Sequence, residues 1–419
     1  MSAIFVDVTQ LSVWPGKLTG IPRVMNELSR RFSSDGAAVL VVWKQGVFQA
    51  IKYSDLLEEN RTKSVVAAAA VAPATVGLKR LVHAAERRSP KLGTARRRLQ
   101  RALRSQQPVM SQPEGTHIQK GDIFVSLWGI WGNQSYIDAL VNLHTQGVQL
   151  VEVIYDMLPL VTPQYSGHST APLENYATTI YPRCTQLLAV SECSKRDTDA
   201  WLRARRLPVP PIYVFRLGED FHFSKAETPK DPTFTAAKIA KNEYILCLGT
   251  IEARKNHTLL YYVYKLAAQR GVKLPKLVLV GRRGWLTDDI FTLMTTDPET
   301  RNQFVFLQNI SDEELSWLFG HCLFTIYPSF YEGWGLPIAE SLARGVPCIA
   351  SNTSSMPEIA GNLIDYFSPV SADECLAAIR HMLQPKALAA AKRKTKQYTT
   401  TSWDDTFKIV NAHIKELLV

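Results

Sequence analysis

Short runs of consecutive apolar residues recur along the chain and alternate with stretches where apolar residues return every three or four positions. The first kind reads as strands covered on both faces, the second as amphipathic helices. In the first half the strand-like runs are AIFVDV (3–8), AAVLVVWK (37–44), GDIFVSLWGIWG (121–132), QLVEVIYD (149–156), LLAV (187–190) and PPIYVF (210–215). A helix is predicted from about Arg23 to Phe32, and Ser191 stands at the start of another. The second half alternates more plainly, with strands YILCLGT (244–250), KLVLVG (276–281), FVFLQN (304–309), LFTIYPS (323–329) and IDYFSP (364–369). Helical patterns NHTLLYYVYKLAAQRG (256–271), 286–295 and DEELSWLFGH (312–321) fall between them. Strands separated by helices of this length imply βαβ units and parallel sheets. The polar, proline-bearing stretch FSKAETPKDPTFTAAKIAKNE (223–243) suits a linker. The pattern therefore predicts two Rossmann-like α/β domains, 1–222 and 232–400, followed by an amphipathic helix in 401–419.

One region breaks the alternation. Within an insertion spanning about 54–115, residues 79–104 carry ten Lys or Arg against one acid, Glu86, a local charge of +9. The whole 419-residue chain carries +10, so its basic character is concentrated there. Leu78, Leu81, Val82 and Ala85 share one helical face, as do Leu92, Ala95, Leu99 and Leu103, with arginines opposite. A basic amphipathic helix of this kind lies on an anionic membrane; a solvated charged face or a partly disordered insertion is the alternative. The segment 76–104 lacks the aromatic side chains that stack on bases, so no nucleic-acid partner is expected. The start MSAIFVDVTQ reads as a core strand rather than a signal peptide. Six scattered cysteines, without C-x-x-C, fit a reduced, cytoplasmic setting and no structural metal.

The richest chemistry lies in YPSFYEGWGLPIAESLARGVPCIASN (327–352): strand end, glycine-rich turn, short helix, strand. Pro337 suits a first helical turn and Gly345 the position past the helix end. Gly335 and Leu336 then place N–H groups at the positive end of a helix dipole, which attracts anions. Glu332 and Glu340 frame the turn with seven residues between them.

The E-x7-E spacing after an aromatic, with the interior GWGLPIA, resembles the nucleotide-sugar site of the retaining family 4 glycosyltransferases, which have the GT-B fold. The resemblance extends over most of the chain outside 54–115. It implies an N-terminal acceptor domain and a C-terminal nucleotide-sugar domain facing across a cleft, with the last helix crossing back to the first domain. By the same resemblance Glu340 holds the ribose hydroxyls and Glu332 faces the donor sugar. The N–H groups around Gly333, Trp334, Gly335 and Leu336 would bind sugar hydroxyls or phosphate, and Asn309 and Ile310 lie near the base. Arg254 and Lys255 in GTIEARKN resemble a pyrophosphate clamp, although many members place the arginine where this chain has Thr250. Gly20 belongs to a loop (WPGKLTGIPRV) that is glycine-rich in the family and close to the donor; here Pro22 replaces a second glycine. Asp156 and Pro159 match a histidine-aspartate-x-x-proline segment in which Tyr155 replaces the histidine. Asp156 would position sugar or acceptor hydroxyls, or cap its own loop.

The resulting expectation is a membrane-peripheral hexosyltransferase at the inner face of the cytoplasmic membrane. It would take a nucleotide-sugar, need no cofactor or divalent metal, and serve a lipid-linked or growing glycan in bacterial surface polysaccharide synthesis. TGIPRV, the Asp-x-x-Pro segment and LVGRRGW look most like mannosyltransferases using GDP-mannose. TDP-rhamnose and UDP-sugars use the same scaffold. From other classes stand a glycosidase with Glu332 and Glu340 as its carboxylate pair, and a non-catalytic glycan- or nucleic-acid-binding protein built on the basic segment. For the membrane reading, neutralising several arginines between 96 and 104 should release the protein from anionic vesicles at low salt. Unchanged vesicle binding in a flotation assay would defeat it.

Overall fold

The computed structural model describes residues 2–14, 18–36, 38–56, 115–167, 169–220 and 239–418. The basic segment 76–104 and most of the linker, 221–238, lie outside the described residues. Thirteen strands are described: β1 (Ile4–Asp7), β2 (Ala38–Lys44), β3 (Val47–Ala50), β4 (Ile123–Ser126), β5 (Gln149–Ile154), β6 (Gln186–Ala189), β7 (Ile212–Val214), β8 (Tyr244–Leu248), β9 (Lys276–Val280), β10 (Phe304–Leu307), β11 (Thr325–Tyr327), β12 (Cys348–Ser351) and β13 (Asp365–Phe367). They form one sheet in the order β3-β2-β1-β4-β5-β6-β7 and a second in the order β10-β9-β8-β11-β12-β13. The fold is the expected pair of Rossmann-like sheets. The chain divides into two compact units, Met1–Leu150 and Val151–Leu417.

Every pairing in the second sheet is parallel. Its apolar runs are continuous because both faces are covered, and successive side chains serve opposite faces. Ile245, Cys247, Leu277 and Leu279 pack on one side with Leu260 and Val263 of helix His257–Gln269 and with Cys375 and Ile379 of helix Ala372–Met382. Tyr244, Leu246, Val278 and Val280 pack on the other with Trp317 and Leu318 of helix Asp312–His321. That helix opens on a capping box, Ser311 accepting from the Glu314 amide while Glu314 accepts from the Ser311 amide. All six cysteines are unpaired and buried. No helix among the described residues is long and apolar enough to cross a membrane.

In the first sheet, β3 was not anticipated. It pairs antiparallel with β2 through a two-residue turn in which Gln45 and Gly46 both have positive φ, 52° and 84°. The helix expected from Arg23 to Phe32 runs Ile21–Asp35, and helices Thr170–Ile180, Ala372–Met382 and Pro385–Thr395 were not anticipated either.

The last helix, Trp403–Lys415, packs beside β6 and β7. The Thr406 hydroxyl donates to the Arg216 carbonyl at 2.8 Å, Gln186 donates to the His413 carbonyl at 3.0 Å, and His413 stacks on Tyr213 of β7. Trp403 is buried against Gly218, where an added Cβ would lie 2.5–2.8 Å from the Trp403 ring and backbone. Gly218→Ala should therefore overpack this joint and cost about 1–3 kcal/mol. Urea unfolding of the two proteins measures it, and equal midpoints would mean that the joint yields without strain.

Candidate active site

The order of the second sheet reverses between β8 and β11, since β8 is followed by β9 on one side while the later strands add on the other. Ligands of open α/β sheets bind beyond the strand carboxyl ends at such a switch point. The loops leaving these two strands carry the predicted charges: Gly249–Asn256 after β8, and Pro328–Gly335 after β11. Backbone bonds join them. The Phe330 amide donates to the Arg254 carbonyl at 2.8 Å, and Asn256 Nδ2 donates to the carbonyls of Pro328 (3.0 Å) and Pro369 (2.8 Å). Asn256 is buried and left-handed, φ 55°, a conformation asparagine tolerates well.

Glu332 is the centre of the site. Its Oε2 lies 2.5 Å from Arg254 Nη1 and its Oε1 lies 2.6 Å from Lys255 Nζ. The Ser329 hydroxyl donates to Oε1 at 2.8 Å. The Glu332 backbone is held as well: its amide donates to Ser354 Oγ at 2.9 Å, and its carbonyl accepts from Ser355 Oγ at 2.8 Å. Burial alone would raise the Glu332 pKa, but Arg254, Lys255 and the hydrogen bonds outweigh it and bring the carboxyl down to about 2. Arg254 is likewise held charged: burial works against its charge, and Glu332, Glu252 and Asp156 overcome that. Asp156 belongs to the same electrostatic group. Burial raises its pKa, Arg254 pulls it back, and Glu332 and Asp197 push it up again. Its Oδ1 also accepts from the Leu158 amide at 3.0 Å, so it caps its loop and faces the cluster at once.

The glycine turn is built against neighbouring backbone. A Cβ on Gly333 would lie 2.1 Å from the Tyr155 carbonyl oxygen and 3.0 Å from Asp156 Cβ, so this approach requires glycine. Ser194 Oγ lies 2.9 Å from that Tyr155 carbonyl and 3.4 Å from the Gly333 carbonyl. Gly335 caps helix Leu336–Ala343 with φ 122°, and Pro337 sits in its first turn. Trp334 is buried, with Arg216 5.5 Å over its ring, and its carbonyl accepts from Ser355. Glu340 lies on the helix, where its charge acts on Arg344 and Tyr327.

Several participants escaped the sequence reading. Tyr331 donates to Asp197, and the Glu358 carboxylate accepts from the amides of Glu192 (2.8 Å) and Cys193 (2.7 Å). Glu358 thereby caps helix Glu192–Ala204 together with its Ser191 N-cap. Ser329, Ser354, Ser355 and Glu358 carry no motif that separates them from loop residues. Other predicted residues stand elsewhere. Gly20 belongs to the first compact unit, as the N-cap of helix Ile21–Asp35 with φ 59°. Asn309 and Ile310 follow β10; Asn309 is exposed with φ 55°, and Ile310 packs on the core. Tyr155 turns its phenol into the interior, where burial and the Glu152 charge raise its pKa. Arg283 pairs with Asp288 and lies 4.6 Å over the Phe291 ring.

Residues 231–399 match the family described as "Glycosyl transferases group 1". The chain carries a glycosyl transferases group 1 domain. It is 34% identical over 232 residues to O-antigen chain mannosyltransferase B of Escherichia coli, a match covering 54% of this chain and 60% of that protein. It is 28% identical over 250 residues to the serotype-specific mannosyltransferase WbdA of Escherichia coli, covering 58% of this chain and 31% of that protein. The matches thus span three-fifths and about one-third of these relatives' lengths. Among solved structures, Anabaena Alr3699/HepE in complex with UDP superposes with a TM-score of 0.62 at 13% identity, over 99% of this chain and 100% of that one. Sucrose-phosphate synthase of Thermosynechococcus elongatus gives 0.58 at 16% identity, over 100% and 99%. These likenesses establish the GT-B fold.

The depressed pKa of Glu332 has a consequence for stability. The carboxylate contributes fully above its unfolded value of 4.5, and that contribution disappears as pH falls toward about 2. Glu332→Gln removes the anion that Arg254 and Lys255 share, leaving Arg254 with Glu252, and should cost about 3–5 kcal/mol at neutral pH. The stability gap between wild type and variant should stay constant above pH ~5 and close below it. Denaturant unfolding at a series of pH values reads this directly; a gap that widens in acid would contradict the ion-pair account.

Proposed function

We propose that this chain is a retaining hexosyltransferase that moves mannose from GDP-mannose to a lipid-linked or growing glycan in surface polysaccharide synthesis. The observation that carries the reading is the convergence of Arg254 and Lys255 on Glu332 at the switch point of a group 1 domain. The mannosyltransferase names of the sequence relatives support the choice of sugar.

The chemistry follows from the charges. As the bond between the anomeric carbon and the diphosphate oxygen breaks, negative charge grows on the departing nucleotide. Arg254 and Lys255 stand ready as fixed cations to meet it, without a divalent metal. Glu332, held ionised, is suited to bind a sugar hydroxyl and to steady positive charge at the anomeric carbon. The departing phosphate takes the acceptor hydroxyl's proton on the same face, which retains configuration. Glu340 is proposed to hold the ribose diol, and the N–H groups around Gly333 to Leu336 to bind sugar hydroxyls or phosphate. As the proton donor of a glycosidase Glu332 is disfavoured, because a carboxyl brought to about pKa 2 is a poor acid at neutral pH. Contact with the inner membrane surface is assigned to residues 76–104.

A second donor class has a specific observation behind it, since the Anabaena fold neighbour was solved with UDP. A thermal-shift panel of GDP-mannose, UDP-glucose and TDP-rhamnose separates the classes. A donor at 100 times its Kd stabilises the folded state by about 2.7 kcal/mol. A shift with GDP-mannose is expected; a shift with UDP-glucose alone would replace the donor, and none with any would sink the transferase reading. Lys255→Ala should then lower kcat by roughly 100- to 1,000-fold, as loss of a charge-stabilising group does. Unchanged turnover would remove Lys255 from the site.

A further inference from the structure

Glu252 is a carboxylate of the cluster that the reaction described above does not use. Asp156, Glu252 and Glu332 all act on Arg254, while Lys255 is the second cation. A pair of cations that receives a diphosphate would hold it most strongly with few competing anions nearby. Glu252 is nonetheless buried, 3% exposed, where an uncompensated carboxylate is costly.

Its contacts show what it holds. Glu252 Oε1 lies 2.6 Å from Arg254 Nε, an ion pair rather than an aligned hydrogen bond. The Glu252 carbonyl accepts from the Lys255 amide at 3.0 Å and closes the short turn Ala253–Lys255 that carries both cations. Glu332 meets Arg254 through a different nitrogen, Nη1. The guanidinium is thus fixed at two of its three nitrogens, and neither ion pair uses Nη2. A further titratable neighbour is His257, kept neutral by burial and by the Lys255 charge, with its pKa pushed down to about 3.

We propose that Glu252 is a positioning residue that aims the Arg254 guanidinium at the departing diphosphate while its own charge weakens the resting grip on that diphosphate. The proposal rests on the nucleotide-sugar reading of the site. Catalysis gains only from interactions stronger in the transition state than before or after it. A fixed guanidinium favours the transition state, and an extra buried anion disfavours tight retention of the nucleotide product.

The signature is a split that loss of folding support would not produce. GDP and UDP binding are measured by calorimetry on wild type and Glu252→Gln, together with nucleotide release from GDP-mannose and UDP-glucose. Glu252→Gln should bind the nucleotide about tenfold tighter through loss of the competing charge. It should turn over up to about 100-fold more slowly through loss of positioning. Equal or weaker binding, or unchanged turnover, overturns the proposal. Should Glu252→Gln fail to fold, Glu252→Asp keeps the charge and loses the reach: its nucleotide affinity should match wild type and its turnover should fall, and unchanged turnover refutes the role. If wild type binds neither nucleotide, the nucleotide-sugar reading itself fails and this one with it; nucleotide binding without the split defeats the positioning role alone.

Discussion

A carboxylate cannot be buried in a protein without partners, and Glu332 has two cations and a hydroxyl. Much of the second unit can be traced from that requirement. Arg254 and Lys255 reach Glu332 because β8 and β11 are neighbours in the sheet, although 78 and 77 residues separate the charges in sequence. The backbone bond from Phe330 to Arg254 and the two bonds from Asn256 keep the two loops in register. Such an arrangement contributes little net stability against an apolar core of the same shape, but it is expensive to break on one side. It is an arrangement suited to holding charge in place for a ligand.

The loop that carries Glu332 also touches the segment that ends β5 and begins the helix after β6. Gly333 lies on the Tyr155 carbonyl, Tyr331 bonds Asp197, and Ser194 reaches both Tyr155 and Gly333. Glu358, from the helix after β12, caps helix Glu192–Ala204. Asp156 is therefore placed by the same contacts that shape the glycine turn, and its electrostatic link to Arg254 and Glu332 follows.

The fold was largely legible because parallel strands covered on both faces leave uninterrupted apolar runs, and β8, β9 and β10 fall within the runs beginning at Tyr244, Lys276 and Phe304. Strand β3 was not legible, since Gln45-Gly46 forms its turn with two positive φ values where Asn-Gly or Asp-Gly is the usual signal. In the site, Arg254, Lys255 and Glu332 could be picked out because GTIEARKN and the E-x7-E segment resemble the nucleotide-sugar site of a known family. Glu252, Ser354, Ser355 and Glu358 could not. The partners of Ser354, Ser355 and Glu358 are set by tertiary contacts, such as the 165-residue separation between Glu358 and Cys193, and polar loop residues such as Glu252 look alike in sequence. Tyr155 was in the right segment, but strand alternation turns its ring into the interior while Asp156 faces the charges.

The return of the last helix bears on how the chain is made. Gln186 of β6 waits for His413, 227 residues later, and the Arg216 carbonyl waits for Thr406. At the ~5–20 residues per second of protein synthesis, the seat of the last helix beside β6 and β7 stays unfilled for roughly 10–45 s after β6 emerges. During that interval the unfilled seat of Trp403 beside Gly218 is a surface open to chaperones and to premature association.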